Sequence, residues 1–349
     1  MAYVTSLGGV TAIGTSFPSI HAAWNGGLDG FAVFDTFPSA RNGRPLILAK
    51  IDNLDPERLP FDHMLDMGVT AARECLAAFD DVDLPPLPVF LSLPSECPGW
   101  AEEDANRFAH QLLEKLPVAH DPDRSGFVTS GHHGGLGALI ATLEMMRDGQ
   151  AQACLIGGVQ GISANRLDWY EGLKRLKADD APNGFIPGEG AAFVFLATAD
   201  FLNELGLPAM AQIKAATQKV EPQPWYMGEP VLGDGMAQVL QELLAPEDHF
   251  ADFSYADHNG EVWRSEEWSV AYLRTGQKHG HPLDLRHPAQ SWGDLGAASG
   301  VMLLALASYE LQYDRASTRR MALVTCASDQ NPFRSGALVA ALPPADTRA

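Results

Sequence analysis

The chain runs through one succession of apolar patterns and then repeats it, and this repetition restricts its fold more than any single motif does. In the first stretch, YVTSLGGVTAIG reads as a strand entering a glycine turn, and HMLDMGVTAARECLAAF has the three-and-four spacing of an amphipathic helix. PLPVFLSLP is a second strand and GALIATLEMMRDG a helix closed by a glycine. ACLIGGV and AAFVFLA are short, almost wholly apolar runs of the kind found in strands covered on both faces. From about residue 208 the grammar restarts, with AMAQIKAAT as a strand, GMAQVLQELLA as a helix, and DFSYADH as a strand entering a loop. GAASGVMLLALASYELQ is the next helix, and MALVTCAS and GALVAAL are closing strands. No linker separates the halves, 1–198 and 208–349, so they are expected to form one compact α/β unit with mixed, mostly buried sheets in layers.

Composition removes several classes of function. With 46% hydrophobic residues among 349, the chain can bury a large core. Its 24 basic and 44 acidic residues leave a formal charge of −20, a field that repels nucleic acid and anionic membrane surfaces. No run approaches the roughly 20 apolar residues of a membrane span. The opening MAYVTSLGGV lacks the basic start and cleavage site of a signal peptide, so a cytoplasmic location is expected. Cys75, Cys97, Cys154 and Cys326 lie far apart with no CxxC, as fits a reducing compartment, and no cofactor is expected.

SGHHGG, residues 130 to 135, places two histidines between glycines just ahead of a long apolar helix pattern. NGFIPGEGAAFVFLA, 183 to 197, resembles the GF-x-x-GEGA segment of the β-ketoacyl-acyl-carrier-protein synthases, and VTSLGGVTAIG, with Trp24 further on, resembles their first strand and turn. The resemblance covers most of the chain and implies a thiolase-like, five-layered α/β/α/β/α fold of two similar halves. It also implies a dimer through the first half, with ACLIGGV pairing edge strands across a two-fold axis.

Carried over residue by residue, the resemblance preserves the fold signals and loses the chemistry. Counting back from Gly157 and Gly158, which resemble the family's paired glycines, the nucleophilic cysteine falls on His132. The first catalytic histidine falls on His258, but HGTGT has become HNGEV. The second falls on Asp294, in GDLGAASG where the family has GHPLGASG, and the upstream lysine falls near Ala289. The glycine-rich closing gate is replaced by SDQNPFRSG.

Condensation needs an acylated thiolate, donors that polarise a carbonyl, and a helix N-terminus that lowers the thiol pKa and holds the oxyanion. SGHHGG offers the helix start without the thiol. The positive end of that helix is expected to keep His132 neutral, and a carboxylate at Asp294 opposes a developing oxyanion. Two histidines and an aspartate (His132, His258, Asp294) are also a metal-ligand set, although a hydrogen-bonded polar cluster is the reading the residues favour. Ser130 is either a hydroxyl nucleophile or, as the pattern favours, an N-cap. Cys326 is a further candidate nucleophile near the closing loop, whereas Cys154 and Cys75 read as core. Cys97 sits in a proline-rich loop without an activating setting.

Gly157, Gly158, Gly188 and Gly190 are expected to permit tight turns and close backbone approach, and Glu189 to anchor its turn through hydrogen bonds. ADHNGEVWRSEEW is either a partner-binding or ligand-binding surface or a loop pinned by its own charges and rings. The whole points to a degenerate ketosynthase-like protein acting as a binding, scaffolding or accessory subunit. It would be a homodimer, or a heterodimer with a related ketosynthase as chain-length factors are. Ketosynthase-like proteins of this short type also resemble accessory proteins of bacterial type VI secretion loci. The enzymatic alternative is acyl transfer or acyl-thioester hydrolysis at His132, Ser130 or Cys326, assisted by His258 and Asp294.

Overall fold

The computed structural model describes residues 1–51, 59–275, 283–313 and 320–343. The first half comprises β1 (Ala2–Thr11), α1 (Phe17–Asn25), a hairpin of β2 (Ala32–Pro38) and β3 (Pro45–Leu48), α2 (Pro60–Leu76), β4 (Val89–Ser92) and α3 (Glu102–Lys115). It continues with β5 (Gly126–Val128), α4 (Gly134–Arg147), β6 (Ala153–Gln160), α5 (Ala164–Gly172) and β7 (Gly190–Thr198). After α6 (Ala199–Leu205) come β8 (Ala211–Val220), α7 (Asp234–Leu243), β9 (Phe253–Ala256), α8 (Val262–Thr275), β10 (Asp284–Arg286) and α9 (Ala289–Trp292). The chain closes with α10 (Ser299–Tyr313), β11 (Met321–Ala327) and β12 (Phe333–Ala341).

Strand order repeats between the halves. From the middle of the sheet outwards, one side runs β1-β7-β6-β4-β5 and the other β8-β12-β11-β9-β10. On each side the first two pairings are antiparallel and the last two parallel. The sides join through a short antiparallel match of Ala2–Val4 with Ala211–Ile213. Three buried clusters then define the layers. α2 and α3 cover one outer face and α7 and α8 the other, while α4 and α10 lie in the middle against strands of both sides. This is the mixed, five-layered α/β arrangement expected. The apolar runs ACLIGGV and AAFVFLA form β6 and most of β7, buried on both faces as continuous apolar strands must be.

Two expectations are corrected. β6 does not pair across a two-fold axis, because it lies between β7 and β4 with both edges already bonded; the end strand on that side is β5. ADHNGEVWRSEEW is no loop beyond its first residues, since α8 begins at Val262. Most of its charges and rings turn inward: Asp257, His258, Glu261, Trp263, Arg264, Glu267 and Trp268 are buried, while Glu266 is exposed.

The glycines do work as spacers. A Cβ on Gly157 would lie 2.2 Å from the Phe193 ring, and one on Gly188 would lie 2.1 Å from the carbonyl oxygen of Trp292. Glu189 accepts from the Ile51 amide at 2.8 Å and contacts His63 Nε2 at 2.8 Å, so it ties its turn to α2. Gly188→Ala is expected to destabilise the chain by about 1–3 kcal/mol through overpacking. The check is the midpoint of urea unfolding, and an unmoved midpoint would contradict the close approach.

Candidate functional site

The site forms where the two central helices start. A short 3-10 turn, Gly131–His133, leads into α4, and an equivalent turn, Gly296–Ala298, leads into α10. Glycines let these starts touch: a Cβ on Gly300 would meet the His132 carbonyl at 3.1 Å, and one on Gly135 the Val301 amide at 2.7 Å. Gly131 itself has φ +66°, the left-handed region that favours glycine, and this bend turns His132 inward.

His132 is thereby delivered to Asp294 across 162 residues of sequence, with Nε2 2.8 Å from Oδ1. Its Nδ1 faces Asp329 Oδ1 at 3.5 Å. Nη2 of Arg264 lies 3.3 and 3.2 Å from the two ring nitrogens. A donor nearly equidistant from both nitrogens sits over the ring face rather than on a lone pair, which leaves the nitrogens to the carboxylates. Asp294 also accepts from the Gly296 amide at 2.7 Å and from Asn259 Nδ2.

A shell of paired charges closes around this core. Arg175 donates to Glu261 in fork geometry at 2.7 and 2.8 Å and to Asp329 at 2.6 Å. Arg264 donates to Asp257 and to the Ala327 carbonyl, each at 2.7 Å. The Trp225 and Trp263 rings stack 5.7 Å apart, and Arg264 lies 4.4 Å over Trp263.

The electrostatics reverse one expectation. Burial and the Arg264 charge both oppose protonation of His132, yet the Asp294 and Asp329 carboxylates outweigh them and push its pKa up to about 9. The two carboxylates therefore favour an imidazolium at His132, against the neutral ring expected from the helix dipole. Burial would raise the carboxyls of Asp294 and Asp329; the charges of His132, and for Asp329 first Arg175, hold them well below the usual range instead. His133 points elsewhere, 5.1 Å from the Phe333 ring, and burial with the Arg334 charge pushes it down to about 4.

The other candidates separate from this core. His258 is buried but makes no hydrogen bond or ion pair with His132 or Asp294; burial, His287 and Arg264 push it down to about 3. Among the described residues no group of three His, Cys, Asp or Glu side chains is placed to hold a metal ion, and Arg264 already puts a cation on His132. Among the described residues His132, His258 and Asp294 are thus not brought together as a ligand set. Ser130 makes no side-chain cap; its carbonyl instead accepts from Ser328 Oγ and Asn331 Nδ2 at 3.0 and 3.1 Å. Cys326 is fully buried in β11, and burial with the Asp257 charge pushes its thiol well up. Ala289 opens α9 and supplies no charge at the position the resemblance gives to a lysine.

Space at the site is small. Among the described residues, two cavities that reach Asp294, one beside Asn259 and Trp292 and the other beside Gln160 and Tyr170, have about 10 Å³ each. That is room for roughly one water. Arg175 and Asp329, which complete the cage, were not anticipated from sequence; Glu261 and Arg264 lay in a segment singled out for its charges.

No protein-family model matches the chain, and no curated protein matches it either. Among solved structures it is similar to AntDE:AntF, a type II PKS acyl-carrier protein in complex with its ketosynthase, with 15% identity and a TM-score of 0.78 over 98% of this chain and 99% of that one. A β-ketoacyl synthase from Burkholderia phymatum is similar with 16% identity and a TM-score of 0.73 over 98% and 99%. A complex of a ketosynthase with its chain length factor from Xenorhabdus doucetiae gives 11% identity and a TM-score of 0.72 over 98% of each chain. The chain thus has the thiolase-like fold of the ketosynthases and chain length factors.

Proposed function

We propose that the chain is a ketosynthase-fold subunit that neither condenses nor stores acyl groups and acts by binding a protein partner. One observation carries this reading: the side chain at the position the resemblance assigns to the nucleophile is a buried imidazole held between the Asp294 and Asp329 carboxylates, which favour its protonated form. A protonated imidazole has no lone pair with which to attack a thioester, and the Asp294 carboxylate beside it repels rather than stabilises an oxyanion. The two cavities that reach Asp294 among the described residues, about 10 Å³ each, are too small for an acyl chain.

The partner is a second chain of the same fold, identical or related, docked at the sheet end that β5 leaves unpaired, where Val128 is exposed. An acidic carrier protein fits less well against a chain of charge −20. An accessory role in a type VI secretion locus is compatible with such a subunit.

Intact-protein mass spectrometry after incubation with an acyl-thioester tests the reading. No added mass is expected. An adduct abolished by His132→Ala, Ser130→Ala or Cys326→Ala would identify a working acyl acceptor and establish the acyl-transfer or hydrolase alternative instead.

A further inference from the structure

A separate cavity of about 270 Å³ opens between the start of α2, the loop entering α3 and the loop from β6 to α5. Phe61, Met64, Pro94, Trp100 and Ile162 give it apolar walls, and Arg166 lines it as well. Arg166 is only 6% exposed. One of its nitrogens donates to the Ser95 carbonyl at 2.9 Å, and among the described residues no carboxylate pairs with it. The other deeply buried guanidiniums are different. Arg175, Arg264 and Arg334 each hold a carboxylate, at 2.7, 2.7 and 2.5 Å.

A buried charge without a counter-ion is costly, and an anion seated beside it removes that cost. Two further features favour negative charge at the same place. Arg166 lies in the first turn of α5, whose N-cap Ser163 also lines the cavity, so the positive helix end adds to the guanidinium. The second lining cation, Arg107, is already paired with Asp104 at 2.8 Å and lies over the Phe61 ring, so it neither needs the ligand nor competes for it.

We propose that this cavity binds a small organic carboxylate, its apolar body against Phe61 and Trp100 and its carboxylate paired with Arg166. Size supports the class: a dry cavity of roughly 150 Å³ accepts benzene, so this one takes a ring with a short acid arm. Charge narrows it further. One planar guanidinium matches a carboxylate in fork geometry, whereas a phosphate dianion would face a single free cation with Asp104 nearby. The site does not depend on the subunit reading above.

Calorimetric titration of the full chain with phenylacetate, with its uncharged twin phenylacetamide and with inorganic phosphate tests the proposal. Phenylacetate is expected to bind, the amide and phosphate at least about tenfold more weakly, and Arg166→Met to lose about tenfold or more of the phenylacetate affinity. Arg166→Met is also expected to unfold at no lower temperature than the wild type, since it deletes an unpaired buried charge; a structural arginine would fail this. Equal binding of acid and amide, preference for phosphate, or no phenylacetate binding up to about 10 mM overturns the proposal. The acid–amide comparison uses the wild type alone, so it decides even where the variant does not fold.

Discussion

Arg175→Ala is expected to lower the unfolding free energy by about 3–5 kcal/mol, among the largest effects of any single substitution in this chain. The reason is what it leaves behind. Glu261 and Asp329 are both buried, and Arg175 supplies the fork to the first and the 2.6 Å contact to the second. Its guanidinium also lies between the rings of Tyr170, Phe185 and Trp225, all 5.1–5.3 Å away. Arg175 comes from the first half and both carboxylates from the second, so the substitution also removes a clamp between halves. Arg175→Lys keeps the charge but cannot reproduce the fork, and an intermediate loss is expected. Urea unfolding of the two variants measures both effects. A loss below about 1 kcal/mol for the alanine variant would mean that the carboxylates find other partners or become protonated.

The contrast between strands and site shows what a sequence carries. β6 and β7 were legible because strands covered on both faces must be largely apolar, and the apolar runs of β11 and of β12 from Gly336 onward were legible too, whereas the start of β12, with buried Arg334 and Ser335, was read as loop. The β2–β3 hairpin was not, because β2 is largely exposed and shows no alternation for a pattern to reveal. α8 was read as a loop for a related reason: its buried positions hold Arg264 and Glu267 as well as Trp263 and Trp268, so charges stand where apolar periodicity is sought. Glu267 is masked in the sequence as a surface charge but pairs with buried Arg334 at 2.5 Å.

Within the site, His132 and Asp294 were found by counting along a resemblance, and they do meet. Arg175 was not found, since an arginine in GLKRLKADD looks like part of a solvated basic face. Its burial is decided by carboxylates 86 and 154 residues away. The protonation of His132 was misjudged for the same reason. A helix start presents about half a charge, whereas Asp294 and Asp329 bring two whole charges to 2.8 and 3.5 Å, and neither is near in sequence.

Between pH 7 and 8.5 stability is expected to fall by about 2 kcal/mol more in the wild type than in His132→Gln, and this difference belongs to His132. In the folded chain this imidazole holds its proton up to about 9, while in the unfolded chain it releases it near 6.5. Below 6.5 both states are protonated and the full stabilisation is present. Above it the unfolded state binds fewer protons than the folded one, so stability declines with pH until the folded ring also titrates. His21, His133, His258 and His287 are shifted the other way, so they add a small rise in stability that is nearly complete by about pH 7.5 and is common to both proteins. Cys75 and Cys154, pushed by burial to about 12, and Cys326 and Cys97, also raised by burial, lower stability where unfolded thiols ionise, from about pH 8 upwards, and do so equally in both proteins. Asp294 and Asp329 stay ionised throughout. Urea unfolding at pH 6.5, 7.5 and 8.5 at constant ionic strength should therefore show a midpoint that falls more steeply with pH for the wild type than for His132→Gln. Parallel slopes for the two proteins would mean that His132 is neutral in the folded chain. A neutral ring has a free lone pair, and the case against an acyl acceptor at this position would then rest on cavity size and on the Asp294 carboxylate, which opposes an oxyanion.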